Sequence, residues 1–253
     1  MTNDPAKPKI LYYDIETTPL KAYVWRLGDQ VVRHDQLTAD GGMYDIICIT
    51  YCYNDGKPAK HLDWGYNKQN SKKMIEQFDK LINTADMVIG KNNKSFDDRH
   101  INTQRMLHGL PSIGDWSKKS DDLQTQMKKF FGKALPSQGL DYISKLLGVG
   151  GKIKMGLSDW VDILERRDEA SFRKMIEYGK KDVEDTRAIW ERVEDYILPK
   201  HLPKSAKSKF GDAGCRECGS CRVQSRGYRM QLSGKVHRGQ CQDCGAWSSK
   251  PCT

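Results

Sequence analysis

The run Ile10-Leu11-Tyr12-Tyr13-Asp14-Ile15-Glu16 decides the fold. Its β-branched and aromatic residues favour extended backbone, and the reading predicts a first strand over Lys9 to Glu16. Side chains of a strand alternate between faces, so Asp14 and Glu16 point the same way, at the end of the face that Ile10 and Tyr12 occupy lower down. Two carboxylates on the inner side of a sheet repel each other and resist burial. A bound cation removes both costs. Taken alone, Asp-x-Glu equally describes a strand fraying into an exposed loop.

Working outward, Ile46 to Tyr53 reads as a second strand, His61 to Trp64 as a third and Met87 to Gly90 as a short buried one. Met74, Ile75, Phe78, Leu81 and Ile82 fall at helical spacing within Ser71 to Thr84. Further helices are expected at Arg99–Leu107, Leu123–Phe131, Leu140–Leu147, Ser158–Leu164 and Ala170–Ile197. Early strands followed mostly by helices indicate a mixed α/β domain. No apolar run approaches the length of a membrane span, and Met1 to Lys9 lacks the apolar stretch of a secretory signal. A cytoplasmic location, with no membrane partner, is the expectation.

Two more acidic elements follow. Gly90-Lys-Asn-Asn-Lys-Ser-Phe-Asp97-Asp98 lies between a short strand and a helix, where Asp97 either projects from the turn or caps the helix. Asp98 competes with it, as a second ligand or as the cap of a helix from Arg99. Tyr178 and Asp182 stand one turn apart on one face of a long helix. Each pair is common by chance; what is informative is their order and separation.

In that order, Asp14-Ile-Glu16, Asn93-x-x-Phe96-Asp97 and Tyr178-x-x-x-Asp182 resemble the three motifs of the DEDD exonucleases, the DnaQ-like branch of the RNase H fold. The tyrosine form of the third motif resembles the DEDDy subgroup; the histidine form would place His where Glu177 stands. The resemblance covers residues 9–197 and is closest to exonucleases of phages and bacteria. It implies an RNase H-like mixed sheet flanked by helices, and 3′–5′ hydrolysis of phosphodiester bonds. It also implies two Mg²⁺ or Mn²⁺ ions, bridged at Asp14 and completed by Glu16, Asp97 and Asp182, with Tyr178 orienting the attacking water. Thr17, Thr18, Asn92, Asn93, Lys94 and Phe96 are the expected substrate contacts, although Phe96 reads equally as core and Lys94 as solvated. Single-stranded DNA is favoured over RNA as substrate, and a replication or repair protein is an expected partner. An RNA 3′-end-trimming enzyme and a catalytically silent binding module are the alternatives.

The tail differs from the body. From Lys200 onward the chain holds 11 Lys/Arg and 3 Asp/Glu, a balance of +8 out of the whole chain's +9. Six of the eight cysteines also lie there. Cys48 and Cys52 instead sit in an apolar strand and read as buried thiols. Cys215-x-x-Cys218-Gly and Cys241-x-x-Cys244-Gly are two knuckles whose four thiolates suit one tetrahedral, structural Zn²⁺. Cys221 and Cys252 are left as spare thiols. The expected organisation is an exonuclease domain over 1–199, a basic linker over 200–213 and a zinc ribbon over 214–253. Arg222, Arg226, Tyr228, Arg229, Lys235, Arg238 and Trp247 give the ribbon a basic surface with aromatics, suited to nucleic acid; a protein-docking module is the competing reading.

Overall fold

The computed structural model describes residues 8–66, 69–112, 119–151, 153–197, 215, 222–231 and 234–251. The chain divides into two units, Lys9–Glu194 and a second formed by Asp195–Thr253 with Met1–Pro8. The linker expected at 200–213, and Cys218, Cys221 and Cys252, lie outside the described residues.

The larger unit is built on a five-stranded mixed sheet. Its strands are β1 (Ile10–Thr17), β2 (Ile46–Tyr53), β3 (Lys60–Asp63), β4 (Met87–Gly90) and β5 (Ser120–Asp122), in the order β3-β2-β1-β4-β5. β1 is antiparallel to β2 and parallel to β4. The helices are α1 (Ser71–Asn83), α2 (Asp97–Leu107), α3 (Leu123–Phe130), α4 (Leu140–Leu147), α5 (Leu157–Val161) and α6 (Glu169–Val193). None among the described residues is long and apolar enough to cross a membrane.

Alternation along β1 gives the sheet two different faces. Leu11, Tyr13 and Ile15 pack with Ile49, Val88 and the apolar stripe of α1, namely Met74, Ile75, Phe78 and Ile82. The stripe recurs every three or four residues, so α1 covers this face continuously. The other face carries Ile47, Cys48 and Trp64 against Phe172, Met175 and Ile176 of α6. Here β1 contributes Tyr12 and then, at the strand's C-terminal end, Asp14 and Glu16.

Several elements depart from expectation. β5, Ser120-Asp121-Asp122, was not foreseen, because three polar residues carry no strand signature; its parallel pairing with β4 holds it extended. The expected helix over Ser158–Leu164 runs instead from Leu157 to Val161 and then widens into a π turn, Asp162–Arg166. α2 begins at Asp97, two residues before Arg99.

The smaller unit holds a three-stranded antiparallel sheet, β6 (Val223–Gln231), β7 (Gly234–Cys241) and β8 (Trp247–Pro251). Among its described residues the buried hydrophobic ones are Cys215, Val236 and Cys241. Small folds with so little buried apolar surface are commonly completed by a metal or by disulfides.

Candidate active site and metal centre

The register of β1 against β2 sets Asp14 opposite Thr50 and Glu16 opposite Cys48. Helix α6 crosses this face closely because Gly179 has no side chain. A Cβ there would stand 2.9 Å from Thr50 Cγ2 and 3.1 Å from its Oγ1. Tyr178 and Asp182 flank Gly179 on the helix, so the close crossing brings both to the carboxylates of β1. Tyr178 is half-buried and hydrogen-bonded to Asp182; burial first, then the charges of Asp182 and Glu16, raise its pKa well above the ordinary value. The phenol therefore keeps its proton and can orient a ligand but not act as a base.

Asp97 arrives from the other side. It is 2% exposed at the first turn of α2, and its Oδ1 accepts the Ile15 N–H at 3.0 Å. β4 ends beside Tyr13, so this stretch of β1 has no strand neighbour on that edge, and the Asp97 carboxylate takes the neighbour's place. Burial pushes its pKa up to about 7, with Asp98 and Asp122 adding to the rise and backbone N–H groups opposing it. Asp98, one residue on, turns inward: Tyr13 OH donates to its Oδ1, and Ser120 Oγ lies 3.3 Å from its Oδ2. It does not cap α2, whose N-cap position is Phe96 with no side-chain cap bond.

Asp14 is where the four acids meet electrostatically. Burial raises its pKa well above the usual carboxylate range, and the charges of Asp97, Glu16 and Asp182 raise it further; Lys91 pulls it back. Carboxylates from three separate chain segments thus act on one another in a partly enclosed place. Oxygen-only donors with this mutual repulsion suit hard divalent cations such as Mg²⁺ or Mn²⁺. The acids are more widely spread than a single-ion cage: among the described residues, the only set of three ligand atoms within 4.8 Å of one another is formed by cysteines. Lys91 carried no role in the sequence reading. The signal was its position directly after β4, the strand that runs beside β1.

The expected substrate contacts separate into groups. Asn93 is 0% exposed, and its side chain is engaged within the fold. With its amide oriented to satisfy both ends, it donates to the Gly90 and Asp121 carbonyls and accepts from Ser120 Oγ. Thr18 is also turned to a structural task, since its Oγ1 accepts the Asp45 N–H at 2.9 Å and its own N–H donates to the Asp45 carbonyl. Thr17 is half-buried at the end of β1. Asn92 adopts a positive φ of 64°, and its N–H donates to Asp122 Oδ1 at 3.0 Å. Lys94 Nζ stands 3.8 Å from the buried Asp121 carboxylate. Phe96 is 39% exposed and packs on His100 rather than in the core.

In the smaller unit, Cys215, Cys241 and Cys244 are close enough together to hold a metal ion, with Cys215 and Cys244 Sγ 3.4 Å apart. The Asp243 N–H points at Cys241 Sγ from 3.4 Å, and Gly245 takes the left-handed φ of 72° that the turn requires. Thiolate donors of this kind suit zinc rather than hard cations such as Mg²⁺. The same sheet carries cations over aromatic rings: Lys235 Nζ is 4.5 Å from the Tyr228 ring centre, and Arg238 is 4.2 Å from that of Trp247. Tyr228 also stacks on His237 at 4.8 Å.

No protein-family model matches the chain, and no curated protein matches it in sequence. A solved structure with a similar fold exists. It is the family B DNA polymerase from the hyperthermophilic archaeon Pyrobaculum calidifontis. The match covers 77% of this chain and 25% of the polymerase chain, at 15% identity and a TM-score of 0.55. This chain thus corresponds to about a quarter of the polymerase's length, and likeness at that identity speaks of the fold. With the observed sheet order, it agrees with the RNase H-like α/β architecture expected from the sequence.

Proposed function

We propose that the protein is a two-metal 3′–5′ exonuclease acting on single-stranded DNA. The observation that carries this reading is the convergence of Glu16, Asp97 and Asp182 on the charge of Asp14, in a fold shared with part of a DNA polymerase. Asp14, Glu16, Asp97 and Asp182 would hold the two Mg²⁺ or Mn²⁺ ions. The chemistry such ions supply is activation of water and stabilisation of charge on the leaving 3′ oxygen. Asp97 is favoured over Asp98 because its charge acts on Asp14, whereas both Asp98 oxygens are turned to Tyr13 OH and Ser120 Oγ. Tyr178, kept protonated and tied to Asp182, orients the attacking water through its phenol oxygen. Thr17, Asn92, Lys94 and Phe96 are placed on the substrate side. Phe96, solvent-facing at the mouth of the β4–α2 turn, is suited to stack on the terminal base.

The domain reading is part of the same proposal: an exonuclease domain over 1–199, a linker over 200–213 and a ribbon over 214–253 with one structural Zn²⁺ on Cys215, Cys218, Cys241 and Cys244. The ribbon grips nucleic acid through its cation-bearing aromatic surface. The test is polarity. With a 5′-labelled single strand and Mn²⁺, products should shorten stepwise from the 3′ end. A 3′ end blocked by phosphorothioate linkages should stop them. Shortening that ignores the 3′ block, or a stronger reaction on RNA of the same sequence, would replace this reading with an endonuclease or an RNA-trimming enzyme.

A further inference from the structure

The parallel register of β1 and β4 pairs Ile10 with Met87, Leu11 with Val88 and Tyr12 with Ile89. One step on, Gly90 lies beside Tyr13: a Cβ on Gly90 would stand 3.2 Å from the Tyr13 carbonyl oxygen. Lys91 follows directly, in the bend after β4, and its charge acts on Asp14. The lysine is half-buried, and its Nζ donates to Gln124 Oε1 at 2.9 Å. Its mounting is fixed at both ends by one carboxylate. Asp122 Oδ1 accepts the N–H of Asn92, the residue after Lys91, at 3.0 Å, and the N–H of Gln124, its anchor, at 2.8 Å. Burial lowers the lysine's pKa, while Asp122, Asp14 and Asp182 pull it back up. An ammonium has three donors, and Gln124 takes one of them.

We propose that Lys91 is the phosphate-binding cation of the acid site, donating from its ammonium to a non-bridging oxygen of the phosphodiester to be cut. The inference rests on the nuclease reading above and adds to it. Four carboxylates balance two divalent ions, which leaves no net positive charge for an anionic substrate whose transition state is more anionic still. A fixed, partly desolvated ammonium near Asp14 supplies that charge where water screens it less than at the open surface. In the metal-free protein the same ammonium offsets part of the repulsion at Asp14, and so competes with the ions.

These two roles give opposite signs, which makes the test sharp. In the full chain, Lys91→Met should lower kcat on a single-stranded oligodeoxynucleotide by ~100-fold at saturating Mn²⁺. Mn²⁺ binding to the substrate-free protein, followed by electron paramagnetic resonance, should tighten several-fold. Lys91→Arg should restore most of kcat. Gln124→Leu, which keeps the lysine but releases it, should lower kcat by a smaller factor. Lys91→Met with kcat within twofold of the wild type would overturn the proposal. So would a parallel loss of kcat and Mn²⁺ affinity, the mark of a merely structural residue. If Lys91→Met does not fold, a Gln124→Leu protein that matches the wild type overturns it instead. The nuclease reading fails separately, through an Asp14→Ala/Glu16→Ala protein that remains active; if that protein is dead and Lys91→Met is not, only the assignment of Lys91 falls.

Discussion

The acid site and the cysteine site solve opposite problems. The acids stand on a sheet and a long helix that are already held together by two apolar clusters, one under α1 and one under α6. The strain of gathering carboxylates is absorbed by that core, so the cluster of acids does not depend on a bound ion to form. The cysteines stand in a unit whose described strands bury little beyond Val236 and Cys241. On the proposed reading the thiols hold that unit through a metal, whereas in the larger unit the fold comes first and gathers the acids.

The contrast can be broken from either side. The largest expected effect is chemical. Asp14→Ala should reduce turnover by at least ~1,000-fold, about 4 kcal/mol of transition-state stabilisation, with a melting temperature no lower than the wild type's. A lowered melting temperature, read by calorimetry, would mean the acids are structural. Next, Cys241→Ser should unfold the smaller unit alone, because zinc-binding free energy there is folding free energy. The larger unit should melt as before, while affinity for oligonucleotides drops by about 10-fold at ~0.15 M salt and its salt dependence flattens. Unchanged affinity would remove the ribbon's role as a grip.

Gly179→Ala tests how the fold delivers the acids. Its Cβ would meet Thr50 Cγ2 at 2.9 Å, so α6 or the Thr50 side chain must shift. A cost of about 1–3 kcal/mol in stability is expected, with a loss of roughly 10-fold or more in kcat from misplacing Tyr178 and Asp182. Equal kcat would show that the crossing is not what positions them.

The pH dependence is a subtler test. Asp97 releases its proton near 3.8 when unfolded and at about 7 when folded. Between those values the folded state binds more protons, so stability of the metal-free protein should fall as pH rises from ~4 to ~7. Asp97→Asn should flatten that slope, and added Mn²⁺ should offset it. A stability that rises across the window would contradict the electrostatics described here. Smallest of all, Asp98→Asn should cost about 1 kcal/mol, since the amide oxygen can still accept from Tyr13, and should leave kcat nearly unchanged.

Much of the architecture was legible in short-range pattern. Ile46–Tyr53, Met87–Gly90 and Leu140–Leu147 have the bounds their periodicity implied. The spacing of Asp14 from Glu16, and of Tyr178 from Asp182, also gave which face each pair shares. What spacing could not give was contact at a distance. Nothing near Asp97 announces that it would accept the Ile15 N–H, 82 positions away. Nothing near Asn93 separates a buried amide that holds Gly90 from one that meets a nucleotide. β5 escaped because its extended form comes from β4 rather than from its own residues, and Lys91 because a lone lysine means little until the fold brings its charge to act on Asp14.

The proposed activity, 3′-end cleavage of nucleic acid by four acids and divalent metal, is decided by mononucleotide release from a 3′-labelled single-stranded oligodeoxynucleotide in Mn²⁺, comparing the wild type with Asp14→Ala/Glu16→Ala. Release by the wild type and none by the double variant is the predicted result; equal release by both would contradict the account.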